Sequence, residues 1–342
     1  FDSAPTTPDP DPKKGMDVIT YTGNGGTQNI GGLNFEPGLV WIKNRDSDRN
    51  HYLYDSVRGA GTDGDLAPNT TDAENSLNTG TYGYLSGFNA DGFTVVDGSN
   101  STGNFNSSSQ DYVAWTWRAG GPAVSNTDGT ITSQVSVNTD YGFSIITYSG
   151  NGTSGATVGH GLGATPKFII VKRRDSIGRW AVYYDGMSTG DYIYIDLNNQ
   201  TYNSSDGWPA LPSSSVFTIS SNSNWNNSSG TYAAYCWSEV SGYSKFGTYE
   251  GASTVTVTTG FKPRWILLKN VDTAGSWSIF DSERDSDLEI NNRIYANESS
   301  AEGTNTVIGN FTDTGFTLTN QGNSNWNTTG DTFIYAAFAD RP

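Results

Sequence analysis

The sequence predicts an all-β protein made of three tandem antiparallel β-sandwich domains, and three observations point there. The first is a repeat. Phe35-Glu36-Pro37-Gly38-Leu39-Val40-Trp41-Ile42-Lys43-Asn44 recurs as Phe261-Lys262-Pro263-Arg264-Trp265-Ile266-Leu267-Leu268-Lys269-Asn270, with Thr165-Pro166-Lys167-Phe168-Ile169-Ile170-Val171-Lys172-Arg173 between them. A spacing of roughly a hundred residues is too long for a solenoid unit and suits a small domain. The second is composition: the 342 residues are 34% hydrophobic, 16% charged and 13% aromatic, unlike a disordered chain. The 41 glycines, with abundant Asn, Ser and Thr, supply turns. The third is periodicity, since alternating β-branched and aromatic runs are frequent and helical spacing is rare.

Residues 1–15 hold Pro5, Pro8, Pro10 and Pro12 and end in Lys13-Lys14-Gly15. This predicts an extended, polyproline-like arm that joins an upstream segment or docks on a neighbour. The first sandwich is placed at 16–119. It opens on Val18-Ile19-Thr20-Tyr21-Thr22 and an Asn24-Gly25 turn, and continues through the Pro37 strand and His51-Tyr52-Leu53-Tyr54-Asp55. Gly92-Phe93-Thr94-Val95 and Asp111-Tyr112-Val113-Ala114-Trp115-Thr116-Trp117 complete it. Residues 120–140 form a Gly/Ser/Thr/Asn-rich linker in which Val135-Ser136-Val137 adds one strand, and its length predicts a freer or differently packed neighbour. The second sandwich, 141–239, repeats the order from Phe143-Ser144-Ile145-Ile146 to Tyr232-Ala233-Ala234-Tyr235-Cys236-Trp237. The third, 240–342, follows without a linker, which predicts a stiff pair.

Charge and cysteine usage exclude several functions. A net charge of −16 opposes binding of DNA or RNA, which needs clustered Lys and Arg, and opposes attachment to an anionic bilayer. No run reaches the roughly 20 apolar residues of a membrane-spanning helix, and no signal-peptide core is present. The lone Cys236 sits in an apolar run and reads as a small buried hydrophobe. The chain opens on Phe1, as expected for a processed product or a piece of a longer polypeptide.

The most distinctive polar feature is Asn222-Ser223-Asn224-Trp225-Asn226 and its echo Asn323-Ser324-Asn325-Trp326-Asn327; the first repeat has Asn104-Phe105-Asn106. Two readings fit. An exposed indole flanked by amides can stack on a pyranose while the carboxamides bond its hydroxyls, making Asn224, Trp225, Asn226, Asn325, Trp326 and Asn327 the candidate glycan-binding residues. Alternatively the ring plugs the end of the sandwich and the asparagines make tight turns. Asp55, Asp185 and Asp281 end the middle strand of each copy, and capping the following turn explains them better than a triplicated catalytic centre would. Asp46-Ser47-Asp48-Arg49-Asn50 resembles the start of a calcium loop, but His51 and Val57 stand where the EF-hand pattern needs Gly and Glu. His51 and His160 lie in different repeats, so there is little material for a zinc site or a Cys/His nucleophile. Lys172-Arg173-Arg174 with Arg179 reads as a solvated strand end. No catalytic residue, metal ligand or cofactor is assigned.

The segments Tyr21-Thr22-Gly23-Asn24-Gly25, Leu39-Val40-Trp41-Ile42-Lys43-Asn44-Arg45, Tyr54-Asp55-Ser56-Val57-Arg58-Gly59 and Tyr112-Val113-Ala114-Trp115 resemble the tandem domains of virion proteins from marine tailed phages, including cyanophages. Val158-Gly159-His160-Gly161-Leu162 and the Pro166 strand are similar to the partner repeat in those proteins, and Thr254-Val255-Thr256-Val257-Thr258 departs from it. The resemblance covers residues 16–340 and implies jelly-roll or lectin-like sandwiches in a tail fibre or receptor-binding module. By the same resemblance the chain is a virion-surface protein that contacts other virion proteins and host cell-surface polysaccharide without cleaving it, as a homo-oligomer, a trimer by analogy. The closest alternative is a capsid-decorating or fibre-shaft protein with no specific ligand, and a third is a glycan depolymerase.

Overall fold

The computed structural model describes residues 11–320, 322 and 325–340. It is all-β and antiparallel. The first copy of the pattern holds β1 (Met16–Thr22), β2 (Thr27–Gly31), β3 (Leu39–Asn44), β4 (Tyr52–Asp55), β5 (Tyr84–Asn89), β6 (Gly92–Val96) and β7 (Asp111–Trp117). Next come β8 (Val124–Asn126) and β9 (Ser133–Asn138). The second copy holds β10 (Phe143–Ser149), β11 (Ala156–Gly159), β12 (Phe168–Arg173), β13 (Trp180–Tyr184), β14 (Asp191–Tyr194), β15 (Tyr202–Asn203), β16 (Val216–Ile219) and β17 (Thr231–Trp237). The third holds β18 (Ser244–Glu250), β19 (Thr254–Thr258), β20 (Pro263–Asn270), β21 (Ser278–Asp281), β22 (Glu289–Tyr295), β23 (Gly303–Thr312), β24 (Gly315–Thr319) and β25 (Thr332–Ala339). Two single-turn helices, α1 (Thr79–Tyr82) and α2 (Ser223–Asn226), lie in loops. No helix of the described residues is long and apolar enough to cross a membrane.

Each copy builds the same four-strand order: β1-β7-β3-β4, β10-β17-β12-β13 and β18-β25-β20-β21. The proline strands β3, β12 and β20 are therefore interior, as their apolar runs imply, and Pro37 and Pro166 precede the ladder where no donor is missed. A smaller set of strands stacks on each: β2-β6-β5, β11-β16, and β19-β24-β23. In the third copy β22 joins both sets into one eight-stranded sheet whose end strands β18 and β19 approach each other, nearly closing it.

Both faces of the four-stranded sheets are buried. Val40 and Ile42 of β3 share one core with Ile30, Phe93 and Val95, while Leu39 and Trp41 face the opposite way. Those opposite faces meet. Leu39, Trp41 and Trp115 from the first copy join Ile170, Trp180 and Tyr235 from the second and Trp265, Leu267 and Phe338 from the third in one cluster. At its centre Trp117 lies 5.9 Å from Trp237, 5.5 Å from Trp265 and 5.7 Å from Phe338, ring to ring and edge to face. The apolar gap these rings leave is about 20 Å³, so the axis is a packed core rather than a pore.

The arrangement closes as a ring. Glu74 N–H donates to Arg174 C=O at 2.9 Å, Thr201 N–H to Val271 C=O at 3.0 Å, and Glu302 N–H to Arg45 C=O at 2.8 Å. Copy one thus reaches two, two reaches three, and three returns to one through equivalent positions, which is pseudo-threefold closure within a single chain. A second set runs the other way round: Trp180 Nε1 to the Ala67 and Thr70 carbonyls, Trp277 Nε1 to the Tyr194 carbonyl, and His51 Nε2 to the Tyr295 carbonyl. Trp41 Nε1 donates to His51 Nδ1 at 2.9 Å, so Nε2 holds the proton that bonds Tyr295.

The region expected to be a linker with one strand, beside a freer or differently packed neighbour, holds two strands. Both β8 and β9 form there, and β9 pairs with β10 along six positions, extending the second copy's sheet at its edge. The copies are held by a shared core, not by the connection between them. The arm's last residues dock: Pro12–Lys14 makes one 3-10 turn, Pro12 is buried, and Tyr141 OH donates to Asp11 C=O at 3.1 Å. A Cβ on Gly15 would lie 2.1 Å from the Tyr141 ring, so only glycine allows this approach. Residues 1–10, with the rest of the expected arm, lie outside the described residues.

Candidate functional site

The Trp/Asn loops do not present the exposed indoles that glycan stacking needs. α2 begins at Asn222, whose side chain caps it by accepting from Asn224 N–H, and this turn directs Trp225 inward. Trp225 is 1% exposed, stacks on Trp208 at 5.6 Å, and donates Nε1 to Ser220 Oγ. Trp326 is 2% exposed, with its ring edge-on to Phe280. Asn226 is wholly buried: its Oδ1 accepts from Asn151 N–H and its Nδ2 donates to Thr153 C=O. Asn327 clamps Ala252 the same way, and Asn106 clamps the Asn24–Gly26 turn in the first copy. A tyrosine from the first strand of each copy closes the motif, Tyr21 bonding the Phe105 carbonyl, Tyr148 that of Trp225 and Tyr249 that of Trp326. The recurring motif therefore builds the loop end of each copy. Of the six candidates only Asn224 and Asn325 reach the surface in part, each donating to a tyrosine hydroxyl, Tyr194 or Tyr295. Asn323 and Ser324 lie outside the described residues.

Two of the three aspartates, Asp55 and Asp281, cap turns at strand ends, and both also join copies. Asp55 Oδ1 accepts from Val57 and Arg58 N–H, while its Oδ2 takes Arg58 Nε at 2.5 Å and Tyr235 OH at 2.7 Å from the second copy. Asp281 repeats this with Arg284, and Trp115 Nε1 donates to its Oδ2 across the ring. Glu74 then bridges Arg58 and Arg174, as Glu302 bridges Arg284 and Arg45. Facing Arg45 and Arg284 hold the Glu302 carboxyl below its ordinary pKa, against the burial that would raise it. In the second copy the register places Tyr184 and the buried Met187 where the aspartate and arginine stand, with Ala336 opposite, and Asp185, one residue on, is half-exposed and pairs with Lys167. The remaining polar candidates are spent internally. Asp46 Oδ2 accepts from Asp111 N–H and Asp48 Oδ1 from Ala301 N–H. Lys172 bonds carbonyls, Arg173 pairs with Asp175, and Arg174 pairs with Glu74. Cys236 is buried. Among the described residues no group of three or more His, Cys, Asp or Glu is placed to hold a metal ion.

Two surface features remain. A cleft of about 890 Å³ opens at the proline-strand end, walled by Pro37, Gly38, Gly120, Gly121 and Val137 and ringed by Glu36, Arg118 and Asp140. The other is a strip of tyrosines on the β14–β15 hairpin. Tyr192 and Tyr194 are two residues apart on one face of β14, and Tyr202 lies directly across from Tyr192 on β15. Their rings are 5.5 Å and 5.8 Å apart in sequence, and Tyr202 is 42% exposed. The strip meets Asn224 at Tyr194, where Arg179 N–H donates to Asn224 Oδ1 and the Arg179 guanidinium holds Asp196. The sequence signal is the Tyr192-Ile193-Tyr194 alternation, which the third copy replaces with Arg293-Ile294-Tyr295 and which therefore stands outside the repeat.

The fold and these sites define an all-β ring of three copies joined by a common core. The chain belongs to the family described as a domain of unknown function (DUF7483), which matches residues 11–342 and so takes in all three copies and the docked end of the arm. No curated protein and no solved structure matches it.

Proposed function

We propose that the chain is three tandem β-sandwich domains of jelly-roll or lectin-like type that form a non-enzymatic attachment module on a virion surface. It is read as a tail fibre or receptor-binding module that contacts host-surface glycan. The observation that supports this is polarity. Thr22, Asn44 and Asp111 share one end of the first sheet and Met16, Leu39 and Trp117 the other, and the other two copies repeat the pattern. Trp117, Trp237 and Phe338 converge at the second end, so both ends of the ring's chain and both connections between copies emerge there. The Asn-, Ser- and Gly-rich loops of all three copies project from the opposite end. A module tethered by its chain ends would present those loops outward, toward a host.

The ring supplies from three copies in one chain the threefold shape that a fibre otherwise draws from three chains. Immunogold labelling of intact particles tests the placement: label on tail appendages is expected, and unlabelled particles would remove the virion reading. Label on the capsid would favour the second reading, a decorating or shaft protein without a ligand. The burial of Trp225 and Trp326 gives that second reading its weight.

A further inference from the structure

We propose that the tyrosine strip Tyr192–Tyr194–Tyr202, with Asn224 and Arg179 at one end and Asn203 at the other, is a binding platform for a neutral glycan chain. The inference rests on the glycan-contact reading above and relocates its site from the buried tryptophans to the side of the second copy.

Two of the strip's three rings have no counterpart in the third copy. Equivalent positions follow from the ring contacts: Trp277 bonds the Tyr194 carbonyl as His51 bonds that of Tyr295, and Thr201 bonds Val271 as Glu302 bonds Arg45. Tyr192 therefore corresponds to Arg293 and Tyr202 to Gly303, which pair across β22 and β23 as the tyrosines pair across β14 and β15. The third copy keeps only the counterpart of Tyr194, Tyr295, and covers it with Arg293 at 5.3 Å. The opposite face of β14 already supplies the core through the fully buried Ile193. Tyr192 and Tyr194 rest part of each ring against the shared core and leave the rest at the surface, where the exposed Tyr202 continues them.

Their chemistry suits a sugar chain. Tyrosine gives a flat apolar face at low entropic cost and a hydroxyl at its rim, so successive rings can cover the C–H faces of successive sugars. Around them stand amides and a guanidinium. Asn224 Nδ2 bonds Tyr194 OH at 3.3 Å, Arg179 pairs with Asp196 at 2.8 Å, and Asn203 Nδ2 bonds Asp191 at 2.7 Å. These bonds fix the side chains in place, which lowers the ordering cost on binding. The nearby carboxylates and the chain's net charge of −16 select against acidic polysaccharides, so the occupant is neutral.

Isothermal titration with cellohexaose, laminarihexaose and mannohexaose, and with an alginate hexamer as the acidic control, tests this. Binding of at least one neutral hexamer and none of alginate is expected. Tyr192→Ala and Tyr202→Ala should each weaken that binding roughly tenfold, the scale of removing one aromatic face from a contact, while Tyr202→Phe stays within about twofold. Thermal unfolding of each variant shows that it is folded. If an alanine variant fails to fold, hydrogen exchange on the parent replaces it, with protection by the bound hexamer expected within 191–203. Neutral-glycan binding that is unchanged in both alanine variants, or protection elsewhere, overturns the site and leaves the attachment reading standing. Binding of none of the neutral hexamers overturns the site and the glycan reading together.

Discussion

Arg58 and Arg284 are the residues on which the ring's ionic joints depend. Each guanidinium is fully buried between an aspartate and a glutamate, and each aspartate also accepts a donor from the neighbouring copy. Burial alone would disfavour such a charge, but the facing carboxylates hold both guanidinium pKa values above the ordinary arginine value. Arg284→Met strands Asp281 without a cation in the interior. It should cost about 3–5 kcal/mol, whereas Lys167→Met, in the half-exposed Lys167–Asp185 pair of the second copy, should cost less than about 1 kcal/mol. Urea unfolding followed by tryptophan fluorescence measures both, and equal losses would contradict the assignment. The capping role of these aspartates was legible in the sequence, because Asp after a strand with Arg three residues on is a local signal. Their role between copies was not, because Tyr235 lies 180 residues from Asp55.

At the scale of single elements, β3, β12 and β20 each carry a buried lysine as their penultimate residue, Lys43, Lys172 or Lys269. Lys172 Nζ reaches the Thr71 carbonyl of the first copy and Lys269 Nζ the Asn198 carbonyl of the second. Burial lowers their pKa values to about 7 for Lys43 and Lys269 and about 8 for Lys172. The folded value lies below the unfolded one, so between about pH 7 and pH 10 the unfolded chain binds more protons. Stability should therefore rise with pH across that window, by at most about 1.4 kcal/mol per pH unit for each lysine. Above about pH 10 buried tyrosines such as Tyr148 and Tyr249, whose pKa values burial raises, act in the opposite sense and stability should fall. Thermal unfolding from pH 7 to 10 should show a shallower rise for Lys269→Met than for the parent; parallel curves would sink the idea. The strands themselves were readable from their apolar runs. Burial on both faces was implied by Leu39-Val40-Trp41-Ile42, but alternation cannot say which face meets its own copy and which meets another. The same blindness hid β14 and β15, short strands on which Tyr192 and Tyr202 have no counterpart in the third copy.

For the whole molecule, the shared core makes each copy dependent on the others. Residues 11–119 alone would expose Leu39, Trp41, Trp115 and Trp117 on one sheet face, an apolar patch that a soluble monomer rarely tolerates. Expressed alone, that segment should precipitate or form polydisperse aggregates, while the intact chain stays in solution as one species. A well-folded monomeric fragment would show that the ring is not obligatory. Three copies, their all-β character, their interior proline strands and the buried cysteine follow from the sequence by itself, since periodicity and turn chemistry are local properties. Only the tertiary structure decided that the linker adds two strands, that the copies close on one another, that Trp225 and Trp326 point inward, and that three tyrosines gather on one flank. Each of these depends on contacts between residues far apart in the chain, where hydrophobic burial rewards proximity in space without leaving a pattern at any fixed spacing.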